Sequence, residues 1–95
     1  MAEAGNLPKL FTGVKIGDLK LPHRIVLAPL TRFRAEPLTA APKPFVAEYY
    51  EQRASGSGLL IAEATSIHED AAPFPGIPGI YSEEQVAAWK EVTDR

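Results

Sequence analysis

The sequence predicts an α/β fold in which an N-terminal hairpin precedes two βα units. Two short apolar runs, at residues 24–30 and 59–65, have the length and composition of strands buried on both faces of a parallel sheet. A segment with helical periodicity lies between them and a second one follows the later run. About 30 residues separate the two runs, which fits a right-handed crossover between parallel strands.

Composition excludes several classes of protein. The chain has 95 residues, enough for at most one small domain. Its 12 acidic residues outnumber 10 basic ones, and the basic residues form no stripe, so nucleic acid is not an expected partner. There is no cysteine, which excludes disulfides and thiolate metal sites. Composition indicates no oligomeric state.

No segment has the character of a membrane span or an export signal. The run at residues 25–30 is far shorter than the roughly 20 apolar residues a spanning helix needs. Residues 1–7 lack a basic start and an apolar stretch, so they do not resemble a signal peptide. We therefore expect a cytoplasmic protein with no membrane partner.

The first predicted elements are a flexible leader at residues 1–9 and a hairpin at residues 10–22. Apolar residues alternate around Gly17-Asp18, a dipeptide typical of tight turns. The alternation predicts one shared face for Val14, Ile16, Leu19 and Leu21. The strand at residues 24–30 follows, and Pro29 marks its end.

The first helix is predicted over residues 44–54. Pro44 suits the first helical position, and the glycine-rich residues 55–58 suit the end of a helix. The three- and four-residue spacing predicts one packed face, made of Phe45, Val46, Tyr49, Tyr50 and Arg53.

The second half repeats the pattern of strand and helix. The strand at residues 59–65 is followed by a loop at residues 66–80 that is rich in proline and glycine. Ser82 and Gln85 have the spacing of a capping box, and Tyr81 and Val86 that of a hydrophobic staple. The helix that follows runs to the end of the chain, and its predicted buried residues are Val86, Trp89 and either Val92 or Thr93.

Two parallel strands do not make a complete sheet. Alone they leave apolar surface and unpaired edges exposed, so the chain is expected to open a larger α/β fold. A (β/α)8 TIM barrel takes about 250 residues, and its first two βα units occupy roughly this length. Residues 24–95 are therefore interpreted as the first two βα units of an incomplete barrel.

Five ordered blocks resemble the old yellow enzyme family of FMN-dependent ene-reductases, in the style of its oxophytodienoate, morphinone and nitrate-ester reductase branch. The blocks are residues 10–17, 24–32, 49–55, 58–65 and 78–90. The resemblance implies a (β/α)8 barrel with a hairpin over the bottom and FMN at the C-terminal ends of the strands.

The resemblance also implies roles for particular residues. Pro29, Leu30 and Thr31 match the segment along the flavin ring, and the Thr31 hydroxyl matches a donor to flavin O4 that raises the flavin potential. Ala64 matches a small residue that lets the second strand approach the ring, and Phe74 matches a substrate-pocket aromatic. From the residues alone, Pro29 ends a strand, Thr31 caps a turn, Ala64 is core and Phe74 is a solvent-facing or packed loop aromatic.

Three polar residues have structural interpretations. Arg32 and Glu63 end adjacent predicted strands, so we expect an ion pair there. His23 and His68 have no second metal ligand at a suitable spacing, and neither matches the catalytic histidine of the family. We predict that both histidines are surface or hydrogen-bonding residues and that the chain holds no metal.

The implied activity is NAD(P)H-dependent reduction of an activated C=C bond, as in an enone, through FMN. The residues that polarise and protonate the substrate in the family match nothing in this chain, so no catalytic residue is predicted. A second interpretation is a non-catalytic interaction module or a remnant that complements another chain. A third, weaker one is another FMN barrel that shares only the early strands.

Overall fold

The computed structural model describes residues 9–54, 58–71 and 74–95. The predicted leader, apart from Lys9, and the predicted helix stop at residues 55–57 lie outside these ranges. The order of elements is β1 (Val14–Ile16), β2 (Leu19–Leu21), β3 (Val26–Leu27), α1 (Pro44–Ala54), β4 (Leu59–Leu60), a short 3-10 helix (Glu69–Ala71) and α2 (Glu83–Thr93). Hairpin, strand, helix, strand and helix therefore follow one another in the predicted order.

The predicted hairpin is confirmed. Strands β1 and β2 pair antiparallel, with Val14 opposite Leu21 and Ile16 opposite Leu19. This register places the four apolar side chains on one face, because directly paired residues share a face. Gly17 has a φ of 58°, a left-handed conformation that glycine adopts without a steric penalty.

Strands β3 and β4 form the predicted parallel pair, with Val26 opposite Leu59 and Leu27 opposite Leu60. A side chain at Gly58 would collide with the Ile25 carbonyl and the His23 ring, so glycine permits the close approach of the two strands. The ladder continues beyond β4, because the Ile61 N–H donates to the Leu27 carbonyl at 3.1 Å. Both strands are shorter than predicted, since regular pairing covers two residues of each.

The prediction that both faces of these strands are buried is wrong for this chain. Val26 is 43% exposed, and Ile25, Leu30 and Ile61 are also exposed. The sheet has only two strands within the described residues, so neither strand has a neighbour on its outer side. The expected apolar exposure of an incomplete sheet is therefore observed.

The core lies where α1 and α2 pack against the parallel pair. Val46, Tyr50 and Trp89 form its buried centre, and Leu27, Leu60 and Val92 pack around them. The bounds predicted for α1 are confirmed. Its predicted face is wrong at Phe45 and Arg53, which are exposed, whereas Ala47 is buried. The stripe that meets α2 and β4 follows residues 46, 47 and 50, because side chains three or four positions apart share a helix face.

The predicted capping box of α2 is present. The Gln85 N–H donates to Ser82 Oγ at 3.2 Å, and the Ser82 N–H donates to Gln85 Oε1 at 3.1 Å. Val86 was expected in the core and is instead 50% exposed. Gln85 takes the inward position, is only 1% exposed, and donates from Nε2 to the Thr39 carbonyl at 2.8 Å.

The predicted loop at residues 66–80 is more ordered than its composition indicates. Ser66 and Gly79 form a parallel bridge, and the Trp89 indole N–H donates to the Gly79 carbonyl at 3.0 Å. The bridge joins the segment before α2 to the chain that continues from β4, and the indole hydrogen bond joins α2 to that segment. Neither α1 nor α2, the α-helices of the described ranges, has the length and apolar character that crossing a bilayer demands.

Candidate functional site at the ends of the parallel strands

The residues predicted to contact the flavin follow the two parallel strands. Pro29, Leu30 and Thr31 come after β3, and Ala64 comes after β4; all four are exposed. The Arg32 backbone N–H donates to Glu63 Oε2 at 3.3 Å. Arg32 follows Thr31 and Glu63 precedes Ala64, so this bond brings the two strand ends to one edge of the molecule.

The exposed surface at this edge combines an apolar side chain, a small side chain and a hydroxyl group. Leu30 is 54% exposed and offers an apolar surface, and Ala64 has no side chain beyond Cβ to obstruct approach. Across the described ranges, no hydrogen bond engages the Thr31 hydroxyl, which leaves it as a donor. An apolar surface with one free donor fits a ring whose edge carries a carbonyl oxygen, as in FMN.

Phe74 lies near the same end through a contact made by the loop after β3. Its ring is 61% exposed and meets the Phe33 ring edge to face, with centroids 6.4 Å apart. The Ala35 N–H donates to the Gly76 carbonyl at 3.0 Å, which holds the two loops together. A side chain at Gly76 would also crowd the Phe33 backbone. The assignment of Phe74 to a substrate pocket stays a prediction.

The expected ion pair between Arg32 and Glu63 is wrong. Within the described residues these side chains form no ion pair, and the contact is made by the Arg32 backbone instead. The Arg32 guanidinium carbon lies 3.4 Å from the centre of the Tyr49 ring, a cation–π contact. Arg53 stacks on the same ring at 3.8 Å. The sequence predicted that the Arg32 guanidinium pairs with the Glu63 carboxylate, whereas in the structure it stacks on the Tyr49 ring.

Tyr50 is a polar member of the site that the sequence did not reveal. The Glu63 backbone N–H donates to Tyr50 Oη at 3.1 Å. Burial raises the pKa of the Tyr50 hydroxyl above its ordinary value of 10.0, and the nearby Glu63 carboxylate adds to the rise, while the hydrogen bond from the Glu63 backbone opposes it. Sequence periodicity predicted only that Tyr50 packs, because its hydrogen-bond partner lies 13 positions away, beyond β4.

The Tyr50 hydroxyl should make the folded state less stable at alkaline pH. Its pKa is higher in the folded state, so the unfolded state loses the proton first and stability falls as pH rises beyond about 10. The Tyr50→Phe variant should show a smaller fall, although it is less stable near neutral pH by about 1–2 kcal/mol because it leaves the Glu63 N–H without an acceptor. Urea unfolding of both proteins at pH 8 to 11 measures the difference, and parallel pH profiles would contradict it.

The histidines have the hydrogen-bonding role predicted for them. His23 Nδ1 accepts from the Ile25 N–H at 3.2 Å, and His68 Nδ1 accepts from the Asp70 N–H at 3.1 Å. Each acceptor closes a short local turn. In the described part of the chain, no group of three or more acidic, histidine or cysteine residues could hold a metal ion.

The parallel strand pair and the two helices packed on it define a protein of the α/β class. The sequence profile of the NADH:flavin oxidoreductase / NADH oxidase family matches residues 9–95, and the chain belongs to that family. Sequence relatives include the NADP-dependent oxidoreductase lnbE of Aspergillus flavus, 53% identical over 89 residues. They also include 12-oxophytodienoate reductase 1 of Oryza sativa, 50% identical over 94 residues.

Solved structures lead to the same family. The old yellow enzyme from Trypanosoma cruzi superposes with a TM-score of 0.86 at 40% identity, over 92% of this chain and 23% of that one. The two sequence relatives match 93% and 99% of this chain but 23% and 24% of their own lengths. The chain therefore spans about a quarter of the relatives it matches.

Proposed function

We propose that this chain forms the first part of the FMN site in an NAD(P)H-dependent oxidoreductase that reduces activated C=C bonds, built on a (β/α)8 barrel. The observation that carries the proposal is the shared edge formed by residues 29–31 and Ala64, tied by the Arg32–Glu63 bond. Membership of the NADH:flavin oxidoreductase family supports the choice of FMN. The parallel pair and its helices are the units from which such a barrel is built.

Each residue of the edge has a task that follows from its chemistry. FMN, when bound, passes electrons from NAD(P)H to the alkene. The Thr31 hydroxyl donates a hydrogen bond to a ring oxygen and favours negative charge there. Leu30 and Pro29 pack along the ring and exclude water, and Ala64 allows the second strand end to approach. Phe74 contacts the small-molecule substrate.

We assign no catalytic residue to these 95 residues. Groups that polarise the substrate carbonyl and protonate the product are needed in addition to the ring edge, and we match no residue of this chain to either role. We also propose that the protein works in the cytoplasm.

A chimera tests whether this chain can supply one edge of a flavin site. In 12-oxophytodienoate reductase 1 of rice, the chain would replace the segment with which it aligns, 24% of that protein. The chimera is expected to retain FMN through desalting and to oxidise NADPH when a cyclic enone is added. The 95-residue chain alone should do neither, because it supplies only one edge of the ring site.

The unaltered rice enzyme, purified in the same way, is the positive control. A chimera that folds, by circular dichroism, yet loses FMN would contradict the proposal. FMN retained by the 95-residue chain alone, together with enone-dependent NADPH oxidation, would contradict the assignment of a single edge.

The second candidate is a non-catalytic interaction module. The observation in its favour is the exposed apolar surface of the parallel pair, at Ile25, Val26 and Ile61. Within the described residues, β3 and β4 also have no further strand beside them, so the outer side of either strand can accept a strand of another chain. A chimera that binds no FMN, combined with self-association of the 95-residue chain in analytical ultracentrifugation, would favour this candidate.

A further inference from the structure

We propose that Glu63 is a positioning residue that sets the place of the Thr31 hydroxyl relative to Ala64. The proposal rests on the proposed function, since it concerns the same ring edge. Glu63 lies between the two strand ends, and its side chain joins them through one bond from Oε2 to the Arg32 backbone N–H.

The Glu63 side chain is buried although it is an acid. Glu63 is only 7% exposed, the lowest exposure of any ionisable acid in the described ranges. A buried carboxylate is unfavourable unless hydrogen bonds compensate for lost water. At this position the carboxylate makes a contact, with the Arg32 N–H, that an apolar residue of similar size could not make.

The Arg32 side chain points to Tyr49 and not to Glu63. The guanidinium stacks on Tyr49, so it is not available to Glu63 as a mobile cation. What the carboxylate holds is the backbone of residue 32, next to Thr31. A bond to backbone fixes the chain itself, whereas a bond to a long side chain would leave residue 31 free to shift.

Glu63 is itself held in place by neighbours on two sides. Its N–H donates to Tyr50 Oη at 3.1 Å, and its carbonyl accepts from Thr65 Oγ1 at 2.9 Å. Tyr50 belongs to the buried core. A continuous path of contacts therefore runs from the core through the Glu63 backbone and side chain to the segment that carries Thr31.

The length of the bond predicts which property should respond. At 3.3 Å the Arg32–Glu63 bond is long for a charge-assisted hydrogen bond. Its loss should therefore cost the whole chain little stability, and any effect should be confined to residues 30–32, next to the bond. Placement affects a ring donor strongly, because a hydrogen bond weakens steeply with distance and angle.

Hydrogen exchange of the 95-residue chain tests the Arg32–Glu63 bond without any flavin. The Arg32 amide should exchange slowly in the unaltered chain and roughly tenfold faster in Glu63→Ala, which removes the acceptor. Glu63→Gln keeps an acceptor oxygen and should restore most of the protection. An Arg32 amide whose exchange does not respond to Glu63→Ala, while circular dichroism shows a folded chain, would overturn the proposal.

A second experiment measures the midpoint potential of the flavin in the chimera, in a double-mutant cycle of Thr31 and Glu63. Thr31→Val removes the hydroxyl while keeping the shape, and should lower the midpoint potential of the flavin because a donor to the reduced ring is lost. Glu63→Ala should lower the potential when Thr31 is present and have little further effect in the Thr31→Val background. Glu63→Gln should behave almost as the unaltered chimera.

The outcomes separate the two proposals. Equal shifts caused by Glu63→Ala in both backgrounds, with a normal effect of Thr31→Val, would overturn the positioning role and leave the flavin edge intact. A Thr31→Val variant with unchanged potential would overturn the flavin contact itself, and with it the positioning role that depends on it.

Discussion

The Trp89→Ala variant is expected to lose about 3–5 kcal/mol of unfolding free energy, because a large buried aromatic side chain leaves a cavity. Trp89 packs with Val46 and Tyr50 at the centre of the core. Its indole N–H also donates to the Gly79 carbonyl. Total stabilities of small domains are about 5–15 kcal/mol, so this loss should move the urea unfolding transition, followed by circular dichroism, to a much lower urea concentration.

Trp89→Phe separates packing from hydrogen bonding at this position. Phenylalanine keeps an aromatic ring beside Tyr50 but cannot donate to the Gly79 carbonyl, so a loss of about 1–3 kcal/mol is expected. Val86→Ala is the matched control on the same helix and should change stability by less than about 0.5 kcal/mol because Val86 is half exposed. Similar losses in Trp89→Ala and Val86→Ala would show that the α1–α2 core does not stabilise the fold.

The Gln85→Ala variant is expected to lose about 2–4 kcal/mol, since one side chain serves the helix cap and a tertiary contact. Oε1 accepts from the backbone N–H groups of Tyr81 and Ser82. Nε2 donates to the Thr39 carbonyl across 46 positions of sequence. Removing the side chain therefore releases the start of α2 and its attachment to the loop before α1.

Two further variants divide this effect into its parts. Ser82→Ala removes only the reciprocal cap bond and should lose about 1 kcal/mol. Gln85→Glu keeps the acceptor oxygens but places a buried carboxylate against the Thr39 carbonyl at neutral pH, so its loss combines the missing donor with the burial of a charge. Urea unfolding measures all three variants. A Gln85→Ala loss no greater than that of Ser82→Ala would mean that the bond to Thr39 contributes nothing.

Local sequence signals determined the order and type of the elements. The turn at Gly17-Asp18, the start of α1 at Pro44 and the capping box at Ser82 all depend on residues within four positions of one another, and such interactions are encoded in short patterns. The parallel direction of β3 and β4 also followed from the sequence, because a helix of this length between two short apolar runs permits little else.

Tertiary structure decided which side chains of those elements face inward and which groups meet. Gln85 rather than Val86 is buried, Phe45 is exposed, and the Arg32 guanidinium lies on Tyr49 rather than on Glu63. Periodicity specifies a helical stripe only to within one or two positions, and the neighbouring element selects among them. The Arg32–Glu63 bond joins residues 31 positions apart, so only the folded chain brings them within reach.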